Sequence, residues 1–132
     1  MWWQKYLNIP FADKGRSVTG SDCWGLVRLI YMQELGIALQ DYSELYDTTL
    51  DKVAIPKLVQ DERQANWSSP LPGDHTEFDI IIMRMRGLPM HVGVVTKPFH
   101  MVHCSSGTNT THEDFRRSRR QHAVMGFARW IA

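Results

Sequence analysis

Apolar residues in the first third of the chain recur at helical spacing. Counting from Cys23, the positions three, four, seven and eight residues on are Leu26, Val27, Ile30 and Tyr31, all on one helical face. The stretch 20–36, GSDCWGLVRLIYMQELG, therefore predicts an amphipathic helix that opens at Cys23 and stops at Gly36. Ahead of it, residues 1–10 predict a short helical entry carrying Trp2, Trp3, Tyr6 and Leu7 and ended by Pro10, followed by a glycine- and serine-rich loop. A second helix is expected over about 49–64 on Leu50, Val53, Ala54, Leu58 and Val59, kinked at Pro56 or starting there. The pattern then changes period. Residues 78–85, 90–95, 99–104 and 123–131 read as strands, with turns at Gly87-Leu88-Pro89 and in the polar stretch 105–111, where a short basic turn follows. Helices first and sheet second predict an α+β fold in one domain, 1–132, with a helical half over about 1–70 and a sheet half over about 71–132.

Composition narrows the class. A 43% hydrophobic fraction beside 22% charged residues belongs to a globular chain, and a net charge of +1 provides no general attraction for nucleic acid. The basic run Arg116, Arg117, Arg119 and Arg120 reads as a solvated loop. Gln4, Lys5 and Asn8 break the apolar core that a signal peptide needs, and the longest apolar run, 80–83, is far too short to insert in a membrane. Synthesis and folding in a cytoplasm, without export by the general secretory route, is the expectation. Two cysteines, Cys23 and Cys104, lie too far apart to suggest a disulfide framework or a paired zinc motif.

The position of Cys23 is what suggests chemistry. Unpaired N–H groups and the positive end of the helix dipole favour thiolate over thiol at a helix start. The competing reading is a small residue buried in the core. A nucleophile needs a base, and the base an orienting partner. Of six histidines, His91 is best placed, opening a strand two residues before Gly93, where a neighbour can approach closely. His103 follows at an even separation, so a hairpin closed by a three-residue loop, Thr96-Lys97-Pro98, sets Val95 opposite Phe99 and His91 directly opposite His103. A two-residue loop pairs His91 with Cys104 instead. In the first register, Cys23 is the nucleophile, His91 takes its proton to form a thiolate–imidazolium pair, and His103 accepts from the other ring nitrogen of His91. A zinc site on the same three residues fits less well, because the helix-start thiol suits a nucleophile. Asp22 is expected to cap the helix and, by its charge, to raise the thiol pKa. His75, His100, His112 and His122 are expected at the surface or in turns.

Three blocks resemble a known family. Asp22-Cys23-Trp24-Gly25 followed by Leu26-Val27, then His91-Val92-Gly93-Val94-Val95, then Val102-His103-Cys104-Ser105-Ser106-Gly107, are similar to the signature blocks of the NlpC family of cell-wall cysteine peptidases, in order along the chain. With Trp24 after the cysteine, and Ile9-Pro10-Phe11 and Gly15-Arg16 before it, the chain most resembles the branch found among phage and prophage tail-assembly genes. The resemblance implies a papain-like fold, a triad of Cys23, His91 and His103, and hydrolysis of peptidoglycan stem peptides, usually at the γ-D-glutamyl–diamino acid bond. It implies no cofactor and no metal, tail-tip proteins as partners, and a place in a virion tail acting on the host wall. The backbone N–H of Cys23 is then part of the oxyanion site. Two positions depart from the pattern. Phe11 stands where many members carry a tyrosine whose hydroxyl assists the oxyanion, and losing one such donor costs on the order of 100-fold or more. Cys104 replaces a small residue and is expected to pack facing away from His103. Asp79 falls where the family has a structural acid. Phe11 also sustains an alternative, a catalytically weak or inactive structural tail protein that keeps the fold.

Overall fold

A computed structural model describes residues 1–12, 15–39, 67–71, 73–85, 88–105, 107–117 and 123–131 of the chain. The helix expected over 49–64 lies outside the described residues. The chain opens with a 3-10 helix, Trp2–Tyr6, and a small antiparallel ribbon, β1 (Arg16–Ser17) and β2 (Gly20–Ser21). Helix α1, Cys23–Ile30, follows at once and runs on as one π turn, Tyr31–Leu35. Gly36 ends it in the left-handed conformation (φ 68°), which glycine adopts without steric cost.

Six strands form the main sheet: β3 (Trp67–Ser68), β4 (Ile80–Met85), β5 (Leu88–Lys97), β6 (His100–His103), β7 (Thr111–Asp114) and β8 (Val124–Trp130). Their spatial order is β3-β8-β4-β5-β6-β7, antiparallel throughout. Strands β4, β5, β6 and β8 fall close to their expected places. Leu88 and Pro89, expected in a turn, already belong to β5, and β7 is an additional strand where a polar loop and basic turn were anticipated.

Alternation along the strands buries both faces. Ile80, Ile82, Val92, Val94 and Val102 share a cluster with Leu26, Val27 and Ile30 of α1 and Tyr31 of the π turn, while Ile81, Met83, Val95, Met101, Phe115 and Phe127 form a second cluster. The sheet thus separates two apolar clusters. His75, expected at the surface or in a turn, lies outside the regular elements but is buried beside the second cluster, stacked on Phe127 at 4.8 Å, and accepts at Nε2 from the Phe99 N–H at 3.0 Å. An imidazole offers apolar ring surface as well as an acceptor, so aromatic packing outweighs its polarity here.

Long-range ties lock the amino terminus to the sheet. Trp2 stacks on Phe78 at 4.6 Å, Trp3 stacks on His112 at 5.0 Å, and the fully buried Tyr6 donates its hydroxyl to Gln33 and Glu34. His112 is thus a half-buried packing residue rather than a surface one, with its Nε2 2.6 Å from the Thr96 hydroxyl. His100 is half-exposed beside it, and His122 lies outside the described residues. At the head of β4, Asp79 is buried and receives two bonds from Arg129 of β8, each 2.9 Å, and one from the Thr76 N–H at 2.8 Å. Asp79 thus joins the turn before β4 to a neighbouring strand. Of the basic run, Arg116 and Arg117 both pair with Asp114, while Arg119 and Arg120 lie outside the described residues.

Candidate active site

Cys23 is the first residue of α1, and what precedes it fixes its position. Asp22 has extended backbone geometry and its carboxylate accepts from the Gly25 N–H at 2.7 Å, as an N-cap does. The small ribbon just upstream brings Ser21 against the same corner, where the Cys104 thiol donates to the Ser21 carbonyl at 3.3 Å. Cys104 is buried in the α1-side core with Val102, so it does face away from His103, as alternation requires.

The electrostatics at Cys23 oppose the simple helix-start expectation. The residue is only 1% exposed, and burial, reinforced by the Asp22 carboxylate, pushes its thiol up to about 12. The backbone N–H groups of Val92 and Trp24 favour the thiolate without reversing that balance. Burial and the Asp22 carboxylate thus favour the neutral thiol at Cys23, against the direction expected from its place at a helix start. The Val92 N–H at the sulfur also places Cys23 at β5, beside the residue that follows His91. Alkylation of the free protein by iodoacetamide, read at Cys23 by peptide mass mapping, is expected to keep accelerating with pH through about pH 9 and above. A rate already level at neutral pH would contradict a protonated resting thiol.

The two histidines meet, but in a different register from the one expected. Strands β5 and β6 pair Val94 with Val102 and Val95 with Met101, whereas nearer the turn Lys97 pairs with His100. The turn thus holds two residues, Pro98 and Phe99, with Phe99 at φ 65°, and a bulge at Thr96 inserts one more residue on β5. A two-residue turn alone would reverse the parity of the pairing and send the histidines to opposite faces. The bulge restores it. Gly93, not His91, lies alongside His103, and the two imidazoles meet on the diagonal with His91 Nε2 2.8 Å from His103 Nδ1. The expected direct opposition is wrong by two residues, an even slip that leaves both rings on one face.

Gly93 makes this diagonal possible. A Cβ there would stand 3.0 Å from the His103 Cβ, 3.0 Å from the Val102 carbonyl oxygen and 3.3 Å from Ile81. Gly93→Ala is expected to cost about 1–3 kcal/mol through overpacking. It should also lower activity by displacing the His103 ring. Urea unfolding alongside a hydrolysis assay checks both, and a variant equal to wild type in each would rule the contact out as a constraint.

Two further residues complete the cluster. The Ser105 hydroxyl lies 3.4 Å from His91 Nε2 and 3.3 Å from His103 Nδ1. Glu113 of β7 places Oε1 2.6 Å from His103 Nε2. Neither was singled out from the sequence. The signal for Glu113 was faint: a carboxylate in a polar segment after His103, in a strand without apolar alternation. Phe11 packs against the α1-side core and pairs with Ser21 in an isolated bridge, bringing a ring but no donor. Among the described residues, no cluster of three or more histidine, cysteine or acidic side chains is arranged to hold a metal ion.

The arrangement joins a helix-start thiol that meets the Val92 N–H of β5, the histidine that precedes Val92 on that strand, and a second histidine bonded to a carboxylate. Comparisons with known proteins bear on this geometry. No curated protein sequence matches the chain closely. Among solved structures, the NlpC/p60 domain of the peptidoglycan hydrolase SagA is similar over 95% of this chain and 89% of its own, with TM-score 0.64 and 19% identity. An NlpC/P60 family protein from Bacillus cereus matches 96% of this chain with TM-score 0.70 and 18% identity, and NlpC2 from Trichomonas vaginalis matches 98% with TM-score 0.71 and 17% identity. The chain spans only 37% and 44% of those two proteins. These likenesses establish the papain-like α+β fold. The model of the NlpC/P60 family matches residues 8–129, a span that contains Cys23, His91 and His103, and the chain belongs to that family.

Proposed function

We propose that the protein is a cysteine endopeptidase that hydrolyses peptidoglycan stem peptides at the γ-D-glutamyl–diamino acid bond. The observation that carries this reading is the His91–His103 contact of 2.8 Å on the strand that borders a helix-start cysteine. Membership of the NlpC/P60 family and the fold shared with a peptidoglycan hydrolase support it.

In this reaction His91 takes the Cys23 proton as the sulfur attacks the amide carbonyl, so that a high resting thiol pKa is no obstacle: thiolate forms only as the carbon–sulfur bond does. The tetrahedral oxyanion accepts from the Cys23 backbone N–H at the open end of α1. Collapse breaks the carbon–nitrogen bond, the amine leaves with the proton carried by His91, and a thioacyl enzyme remains. Water, deprotonated by His91, then attacks the thioester and frees the thiol. His103 holds the ring of His91 throughout. No metal and no cofactor enters the scheme.

The place of action we propose is a phage or prophage tail that meets the host cell wall, with tail-tip proteins as partners. The sequence blocks around Phe11, Gly15 and Trp24 support it. Digestion of purified peptidoglycan, with mass analysis of the released fragments, tests the reaction and the bond together. New amino termini on the diamino acid are expected; fragments cut elsewhere in the stem would move the bond, and an intact wall would remove the reaction. One observation favours a second reading, a structural tail protein with weak or absent turnover: Phe11 contributes no hydroxyl to the oxyanion corner. An intact wall after prolonged digestion would select that alternative.

A further inference from the structure

The His103 ring is buried, 2% exposed, with partners at both nitrogens. Its Nδ1 lies 2.8 Å from His91 Nε2, and its Nε2 lies 2.6 Å from Glu113 Oε1 and 3.4 Å from the Thr111 hydroxyl. An ionised carboxylate only accepts hydrogen bonds, so His103 Nε2 carries the proton in that contact. A neutral imidazole has one N–H, and His103 Nδ1 is then a bare lone pair. Its neighbour, His91 Nε2, must in turn be the donor. One lone pair is left on His91, at Nδ1.

We propose that Glu113 is a positioning residue that holds His103 in its Nε2–H tautomer and so leaves Nδ1 of His91 as the atom that takes the Cys23 proton. The proposal rests on the cysteine-hydrolase reading for its consequence, but its geometry stands on the contacts alone. Without a dedicated acceptor at Nε2, His103 could carry its proton on Nδ1 and donate to His91, which would leave His91 protonated on the atom that has to be bare. Ser105 cannot enforce the choice, because a hydroxyl donates and accepts equally well. The strand pairing supports a built arrangement: β7 pairs with β6 as Met101 with Glu113 and His103 with Thr111, so Glu113 stands on the diagonal from His103 and reaches it across one strand.

The direct test is nitrogen-15 NMR of the imidazole rings in the intact wild-type chain, at a pH where both rings are neutral. Protons on Nε2 of both His103 and His91 are expected, and a proton on Nδ1 of His103 would overturn the proposal. The second measurement is the near-isosteric Glu113→Gln, whose amide can present either an acceptor or a donor to His103. Its kcat on stem peptide is expected to fall on the order of 10-fold with KM and melting temperature unchanged, less than the loss on removing a directly bonded orienting acid. Wild-type kcat in that variant would overturn the role. A wild-type chain that cuts no peptidoglycan would defeat the functional reading instead, leaving the tautomer to be decided by the spectrum.

Discussion

Cys23→Ala is expected to leave a folded chain that releases no fragments from peptidoglycan, a loss on the order of 10⁵-fold or more, because no other group can form the thioacyl intermediate. The fold should survive, since removing one sulfur from the core costs only about 1 kcal/mol. Cys104→Ala provides the contrast. Cys104 is equally buried, but it packs in the core and donates to Ser21 and Ile9 carbonyls, away from the histidines. Its loss is expected to cost a little stability and no catalytic step. Digestion by the two variants, with melting temperatures measured in parallel, separates nucleophile from packing: activity in Cys23→Ala, or its absence only in Cys104→Ala, would reverse the assignment.

The largest single loss of stability is expected at Arg129→Met, about 3–5 kcal/mol, because it strands a buried carboxylate. Asp79 is 2% exposed and Arg129 supplies two of its three hydrogen bonds. The reverse change, Asp79→Asn, leaves the cation half in solvent, its side chain 38% exposed, where water replaces the lost partner. It should therefore cost less. Chemical unfolding of both variants checks the order, and a larger loss for Asp79→Asn would mean that burial is not what makes this pair matter.

Parts of this molecule were legible in the sequence for definite physical reasons. Helix α1 and strands β4, β5, β6 and β8 carry apolar residues at the periods their faces demand, and Gly36 and Asp22 mark the helix ends by chemistry alone. The three family-like blocks put Cys23, His91 and His103 forward together. Other features had no local signature. Strand β7, Thr-His-Glu-Asp, has no apolar alternation and pairs along the edge of β6, so the sequence carried only a faint sign of Glu113 as a partner. The bulge at Thr96 is a property of two strands and their turn, and residue counting gave the right face for the wrong register. The upward push on the Cys23 thiol comes from burial that only packing produces: the helix start was readable, but the desolvation that opposes it was not. His75, expected at the surface or in a turn, does lie between elements, yet its ring is buried in an aromatic cluster that no local pattern announces.

The central claim is that Cys23 carries the acyl group during turnover. Acid quenching of the intact protein while it digests stem peptide, followed by mass mapping, measures this directly. An adduct equal in mass to the acyl half of the substrate, located on the peptide that contains Cys23, is the predicted result. Release of fragments with no adduct at Cys23 under any quench time, or an adduct on Cys104, would contradict the account.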